Sequence, residues 1–107
     1  IMAAFERRLS KNLSMVENGW FYEKNAAWNG RCNGYFVRKL LAFRRSPYQE
    51  IMFFETNDGV RVLVLDGVIQ FDTMWEHIYH EMMVHVPMFA HPNPQRVLVI
   101  GGGDGGC

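Results

Sequence analysis

Residues 101–106 read Gly101-Gly102-Gly103-Asp104-Gly105-Gly106 and follow a short apolar run, Gln95-Arg96-Val97-Leu98-Val99-Ile100. Gly101, Gly103 and Gly106 fit the G-x-G-x-x-G spacing of a nucleotide-binding turn between a strand and a helix. Glycine suits such a turn because, without a Cβ, it tolerates positive φ and lets the backbone approach a ligand closely. A diphosphate would rest there on backbone amides and the positive end of the helix that follows. Asp104 argues against a diphosphate. Two like charges about 4 Å apart repel by roughly 4 kcal/mol at an effective dielectric near 20. The loop therefore suits an adenosine-type ligand that carries a cation, such as a sulfonium or an amine. The alternative is that Asp104 caps the helix expected after the loop; on the loop alone both readings stand.

A second group of candidates is His77, His80, Glu81 and His85. A zinc-protease H-E-x-x-H pattern starting at His80-Glu81 would need a histidine at position 84, and Val84 stands there. His77, His80 and Glu81 share a helix face, but no other ligand cluster converges on them. The expectation is no metal, solvated helix histidines, and one of them serving an active site.

The elements that must position these residues follow from periodicity. Thr73 to Val86 carries Met74, Ile78, Met82 and Val86 in one row and Trp75, Tyr79 and Met83 in the next, which predicts a helix with a broad apolar stripe. Thr73-x-x-Glu76 reads as its capping box and Pro87 as its end. Residues 95–100 read as a buried parallel strand. Upstream, Tyr35–Phe43, Tyr48–Glu55, Val60–Leu65 and Val68–Phe71 are strand-like runs separated by Arg44-Arg45-Ser46-Pro47, Asn57-Asp58-Gly59 and Asp66-Gly67. They predict an antiparallel meander. In Tyr48–Glu55 neither alternating face is purely polar, so the sheet is expected to be covered on both sides, by another subunit or by the nucleotide domain. Ser14–Tyr35, with Asn18-Gly19, Asn29-Gly30 and Asn33-Gly34, predicts short strands and tight turns. Trp28, beside one of those turns, is a candidate site wall.

Residues 1–13 repeat Phe5, Leu9 and Leu13 among charged residues and read as a leader arm, either loosely docked or a short amphipathic helix. Glu6 and the shortness of the stretch count against a transit peptide. The expected organisation is thus a leader arm (1–13), a β-strand domain for oligomerisation and substrate covering (14–71), and a linking helix with the start of a Rossmann-like nucleotide-binding domain (72–107). The fold class is α+β: an N-terminal antiparallel β meander, one linking helix, then the first strand and glycine loop of an α/β methyltransferase-type domain. A doubly wound domain needs several βαβ units, so the chain reads as a fragment.

Composition excludes several partners. Of 107 residues 49% are hydrophobic, which is globular rather than disordered, and 11 basic against 11 acidic residues leave no footprint for nucleic acid or a membrane surface. No apolar run approaches the roughly 20 residues that cross a bilayer. Cys32 and Cys107 form no paired motif, which favours a reducing compartment. The expected location is the cytoplasm.

Five motifs in register then resemble the spermidine synthase family: Pro47-Tyr48-Gln49-Glu50-Ile51, Val62-Leu63-Val64-Leu65-Asp66-Gly67-Val68-Ile69-Gln70, Tyr79-His80-Glu81-Met82, His91-Pro92-Asn93-Pro94, and Val97 through Gly106. The likeness runs from about Gly19 to the end. It implies an aminopropyltransferase, which moves the aminopropyl group of decarboxylated S-adenosylmethionine onto putrescine and releases methylthioadenosine and spermidine. No cofactor is implied, the sulfonium compound being a co-substrate. Carried over by position, Gln49 would bind the nucleoside side of the donor. His80 and Asp104 would hold the donor's aminopropyl end or the polyamine. Tyr79 would line the putrescine pocket beside the attacking nitrogen and stand nearest to a catalytic role, Trp28 would wall the pocket, and Gly101, Gly102, Gly103, Asp104 and Gly105 would form the nucleotide loop. The family implies a homodimer or homotetramer. Its usual Trp-Pro-Gly-Gln is here Trp28-Asn29-Gly30-Arg31, and its usual Asp-Glu-Phe is Trp75-Glu76-His77. These departures keep another amine acceptor open. The family's main base, ribose-holding acid and diamine-recognising aspartates would follow Cys107, so this chain alone is expected to be inactive. A non-catalytic oligomerisation module is the alternative reading.

Overall fold

The computed structural model describes residues 16–24 and 30–107. The arm expected over 1–13 and the candidate wall Trp28 lie outside the described residues. Two hairpin turns show how local sequence sets the β topology. Asn18 and Gly19 both adopt positive φ (51° and 81°) between β1 (Val16–Glu17) and β2 (Trp20–Glu23). Asp66 and Gly67 do the same (48° and 78°) between β6 (Arg61–Leu65) and β7 (Val68–Asp72). Two consecutive positive-φ residues make the tight turn whose twist matches an antiparallel pair, and Asn-Gly and Asp-Gly adopt it most readily.

β1, β2 and β3 (Asn33–Phe36) form one three-stranded sheet in that order. β4 (Lys39–Arg45), β5 (Glu50–Glu55), β6 and β7 form a second, wholly antiparallel sheet in sequence order, as the meander reading required. The run expected as one strand over Tyr35–Phe43 is divided between the sheets. Val37 N–H donates to Gly19 in the first sheet, and Arg38 N–H donates to Glu55 in the second. No glycine or proline marks that crossing, so a continuous apolar run conceals it. The strand also extends beyond Phe43, because Arg44 and Arg45 pair with Ile51 and Glu50.

The two sheets meet through Phe21 and Phe54, both fully buried, with ring centroids 5.7 Å apart. Val16, Val37, Met52, Val62 and Val64 complete the cluster. Removing a Phe-sized side chain from water contributes about 1.5–3 kcal/mol. Glu23 ties the sheets together as well: it is 2% exposed, accepts from the Ile69 N–H at 3.2 Å and from Asn33 Nδ2 at 3.2 Å.

Packing divides the chain between Asp72 and Thr73. The second unit begins with α1 (Glu76–Ala90). The helix starts three residues later than Thr73, and its N-cap is Trp75 with no side-chain cap bond, so the expected capping box does not form. Glu76 instead sits in the first turn, where a carboxylate meets the positive end of the helix dipole. Pro87 lies inside the helix rather than ending it. Proline withholds its own N–H from the i−4 carbonyl and crowds that carbonyl with its ring, together a cost of about 3 kcal/mol that a helix can absorb. The stop falls at His91 (φ −95°, ψ 130°), the residue before Pro92, where the proline ring disfavours helical backbone.

Residues 95–100 do not form the buried strand expected of them. They are irregular, and Val97, Leu98, Val99 and Ile100 are 64%, 81%, 53% and 90% exposed. A strand exists only through its ladder, and the described residues include none that pairs with this segment. The apolar stripe of α1 is exposed too, and the helix's one buried residue is a histidine, His80.

Candidate active site

His80 and Asp104, 24 positions apart, come together in the second unit. His80 Nε2 lies 3.4 Å from Asp104 Oδ2, and on the other side His80 Nδ1 lies 3.8 Å from Glu76 Oε2. Glu76 reaches it because residues four apart stack on one helix face. Each ring nitrogen therefore faces a carboxylate. The His80 side chain is 8% exposed, that of Asp104 19%.

The glycine loop fixes the acid from its own side. Gly101, Gly102 and Gly105 hold positive φ (93°, 67° and 77°), and Gly105 N–H donates to Gly102 at 3.0 Å. Asp104 Oδ1 then accepts the Gly106 N–H at 2.9 Å. That bond, with a further contribution from His80, holds the Asp104 carboxyl below its usual range despite the opposing effect of desolvation. Asp104 is thus an ionised carboxylate with one oxygen occupied by the loop amide and the other facing His80. Neither reading of Asp104 from sequence alone included this turn within the loop. A carboxylate so placed can accept charge-assisted hydrogen bonds from an ammonium or lie against a sulfonium.

Gly106 makes a second contact. A Cβ built on it would fall 2.0 Å from His80 Cε1 and 2.3 Å from both Nδ1 and Nε2. Near-equal distances to three consecutive ring atoms put that position over the face of the imidazole. Only glycine leaves room for the ring.

Tyr79 is 57% exposed, with its ring 5.5 Å from that of His80. It lines a shallow apolar groove with Trp75, Ile78, Met82 and Met83. Gln49 belongs to the first unit, half-buried immediately before β5. Its backbone is set by Ser46, whose Oγ accepts the Gln49 N–H at 2.9 Å and whose N–H donates to the Gln49 carbonyl at 2.9 Å. Among the described residues no group of three His, Cys, Asp or Glu side chains stands close enough to hold a metal ion. Sequence reasoning took Glu76 for a capping partner and Gly106 for a pattern glycine. The i, i+4 spacing of Glu76 and His80 was available as a signal; nothing in the sequence pairs Gly106 with His80.

Residues 19–73 match the family described as spermidine synthase tetramerisation domain, and residues 76–107 match the spermine/spermidine synthase domain. The chain is 46% identical to the spermidine synthase of Dictyostelium discoideum over 88% of its length and 33% of the relative's. It is 56% identical to polyamine aminopropyltransferase 1 of Aquifex aeolicus over 67% of its length and 26% of the relative's. The crystal structure of spermidine synthase from Thermotoga maritima is similar with a TM-score of 0.76 at 38% identity, over 92% of this chain and 34% of that one. A structure titled as spermidine synthase in complex with the transition-state analogue AdoDATO gives the same values. The chain spans about a third of the length of these relatives.

The paired sheets, the following helix and the acid-bearing glycine loop define the front part of a polyamine aminopropyltransferase-type protein. The chain belongs to the spermidine synthase family. Among the described residues, no helix is long and apolar enough to cross a membrane.

Proposed function

We propose that the protein is a spermidine synthase, which transfers the aminopropyl group of decarboxylated S-adenosylmethionine to putrescine and yields spermidine and methylthioadenosine. The observation that carries the reading is the Asp104 carboxylate, kept ionised in a glycine loop and flanked by His80. Both substrates are cations, and the donor bears a nucleoside. A loop that admits a nucleoside closely while presenting a negative charge is complementary to the sulfonium compound and opposed to a diphosphate.

The reaction is a displacement at the carbon next to sulfur. The attacking amine must be unprotonated, aligned with the carbon–sulfur bond and shielded from water. Sulfonium is already a good leaving group, so no metal or cofactor is needed to activate the carbon. His80 and Asp104 would hold the aminopropyl end or the polyamine, Tyr79 and Trp28 would line the acceptor side, and Gln49 would bind the nucleoside side. Gly101, Gly102, Gly103 and Gly105 would shape the Rossmann-like nucleotide loop. The main base belongs in the part of the relatives' length that this chain does not span.

The division into a leader (1–13), a β domain (14–71) and a nucleotide-domain start (72–107) is part of the same reading, as are a cytoplasmic location and assembly into a homodimer or homotetramer. Two observations support assembly: the tetramerisation-domain match over 19–73, and the second face of the large sheet, where Ile51, Phe53, Leu63 and Leu65 are apolar and half-buried. A relative with another amine acceptor is the alternative, favoured by Trp75 and His77 where the family's Asp and Phe usually stand.

The test is calorimetric titration of methylthioadenosine and putrescine into the product of the complete reading frame, followed by a turnover assay. Asp104→Asn is expected to weaken binding about tenfold, the order of one charge-assisted hydrogen bond. A folded full-length protein that binds neither compound would sink the enzyme reading and leave a pairing module.

A further inference from the structure

Gly106 touches both members of the candidate pair, and Glu76 touches one of them. The Gly106 N–H donates to Asp104 Oδ1 at 2.9 Å, while the position a Cβ would take on Gly106 is filled by the His80 ring. Glu76 Oε2 faces Nδ1 at 3.8 Å, opposite Asp104 at Nε2. A histidine ring has two motions available: a flip about its Cβ–Cγ bond, which exchanges Nδ1 with Cδ2 and Nε2 with Cε1, and a tilt out of its plane. A flip would turn carbon toward both carboxylates and lose both interactions. A tilt toward the loop would drive the ring into Gly106.

We propose that Gly106 and Glu76 are positioning residues that lock the His80 imidazole in one orientation between two carboxylates, so that Asp104 is held from both sides and keeps its remaining lone pairs for the cation of the bound polyamine or donor. The proposal rests on the aminopropyltransferase reading for the identity of that cation. A glycine in a Rossmann-type turn ordinarily serves close packing of helix on strand. Gly106 makes another contact, because it lies against a side chain of the preceding helix. Any larger residue at 106 displaces the ring, and with it the partner of Asp104 Oδ2. Glu76 acts only through His80, having no other contact with the loop acid.

A double-mutant cycle on the product of the complete reading frame tests this. Gly106→Ala and Glu76→Gln are each made with His80 present and with His80→Ala, and putrescine binding is read by calorimetry with methylthioadenosine present. Each substitution is expected to weaken putrescine about tenfold when His80 is present, the order of one charge-assisted interaction, and less than about twofold once His80 is alanine. Equal losses in both backgrounds overturn the proposal, since a merely structural role does not depend on the imidazole. Should Gly106→Ala fail to fold, the Glu76→Gln arm carries the cycle unchanged. A proton NMR cross-peak between Gly106 Hα and His80 Hε1 in the unsubstituted protein supports the geometry independently, and its absence from the folded protein overturns it. If the cross-peak is present and putrescine does not bind, the substrate reading fails while the positioning of His80 stands.

Discussion

Tyr35 donates its phenolic hydrogen to Asp72 Oδ2 at 2.9 Å, joining the last strand of the first sheet to the last strand of the second. The two residues are 37 positions apart, and Asp72 is only 8% exposed. Burial, foremost, and then the hydrogen bond and negative charge of Asp72 push the Tyr35 hydroxyl from 10.0 up to about 12.

Because the folded value lies above the unfolded one, the stability this pair contributes is present in full below about pH 10 and is lost as pH rises toward 12. Thermal unfolding followed across that window is expected to show a falling midpoint. Tyr35→Phe is expected to flatten the fall, the difference between the two proteins isolating this group from the rest of the chain. A wild-type slope unchanged by the substitution would remove the assignment.

The Asp104 carboxyl shifts in the opposite sense. Its folded value is lowered below the usual 3.8, chiefly by the Gly106 amide, so its contribution is present above that value and is lost as pH falls through the lower folded one. Carbon-detected NMR of the Asp104 carboxyl is expected to give a midpoint below 3.8, rising only part of the way toward it in His80→Ala, since the Gly106 N–H remains.

Glu23 offers a sharper stability test. Glu23→Ala takes the acceptor from the half-buried Ile69 N–H and from Asn33 at once. Leaving a fully buried donor unsatisfied costs about 1–3 kcal/mol, so the half-buried donor here sets the loss near the lower end, which urea denaturation of the β unit measures as a lower midpoint. Glu23→Gln keeps a carbonyl acceptor and is expected to recover part of the loss.

At the junction of the sheets, Phe54→Ala empties a site with no solvent exposure beside Phe21. The expected cost is about 3–5 kcal/mol. That is a large share of the roughly 5–15 kcal/mol by which single domains are stable. Loss of the cooperative transition, or a midpoint shift of that order, is the expected result; a change below 1 kcal/mol would mean that the two sheets do not share this core.

Local chemistry made much of this molecule legible in the sequence. Asp66-Gly67 and Asn18-Gly19 forced tight turns because their backbones accept positive φ, whereas both faces of residues 50–55 and 61–65 are largely apolar, so packing and not alternation turned Met52, Phe54, Val62 and Val64 inward. The helix over most of 76–90 followed from its period. Tertiary structure alone decided where the first sheet ends and the second begins, since the Val37 and Arg38 N–H groups donate to different sheets without any local signal. That α1 runs through Pro87 was not legible either, because proline costs a helix about 3 kcal/mol without forbidding it. The same holds for the site. Asp104 and its glycines announced a cation-tolerant loop through residue type, but the contact of Gly106 with the His80 ring is a distance between backbone and side chain 26 positions apart (106 − 80). Such a contact has no sequence period, because it depends on how the chain returns to the helix and not on any neighbour along it.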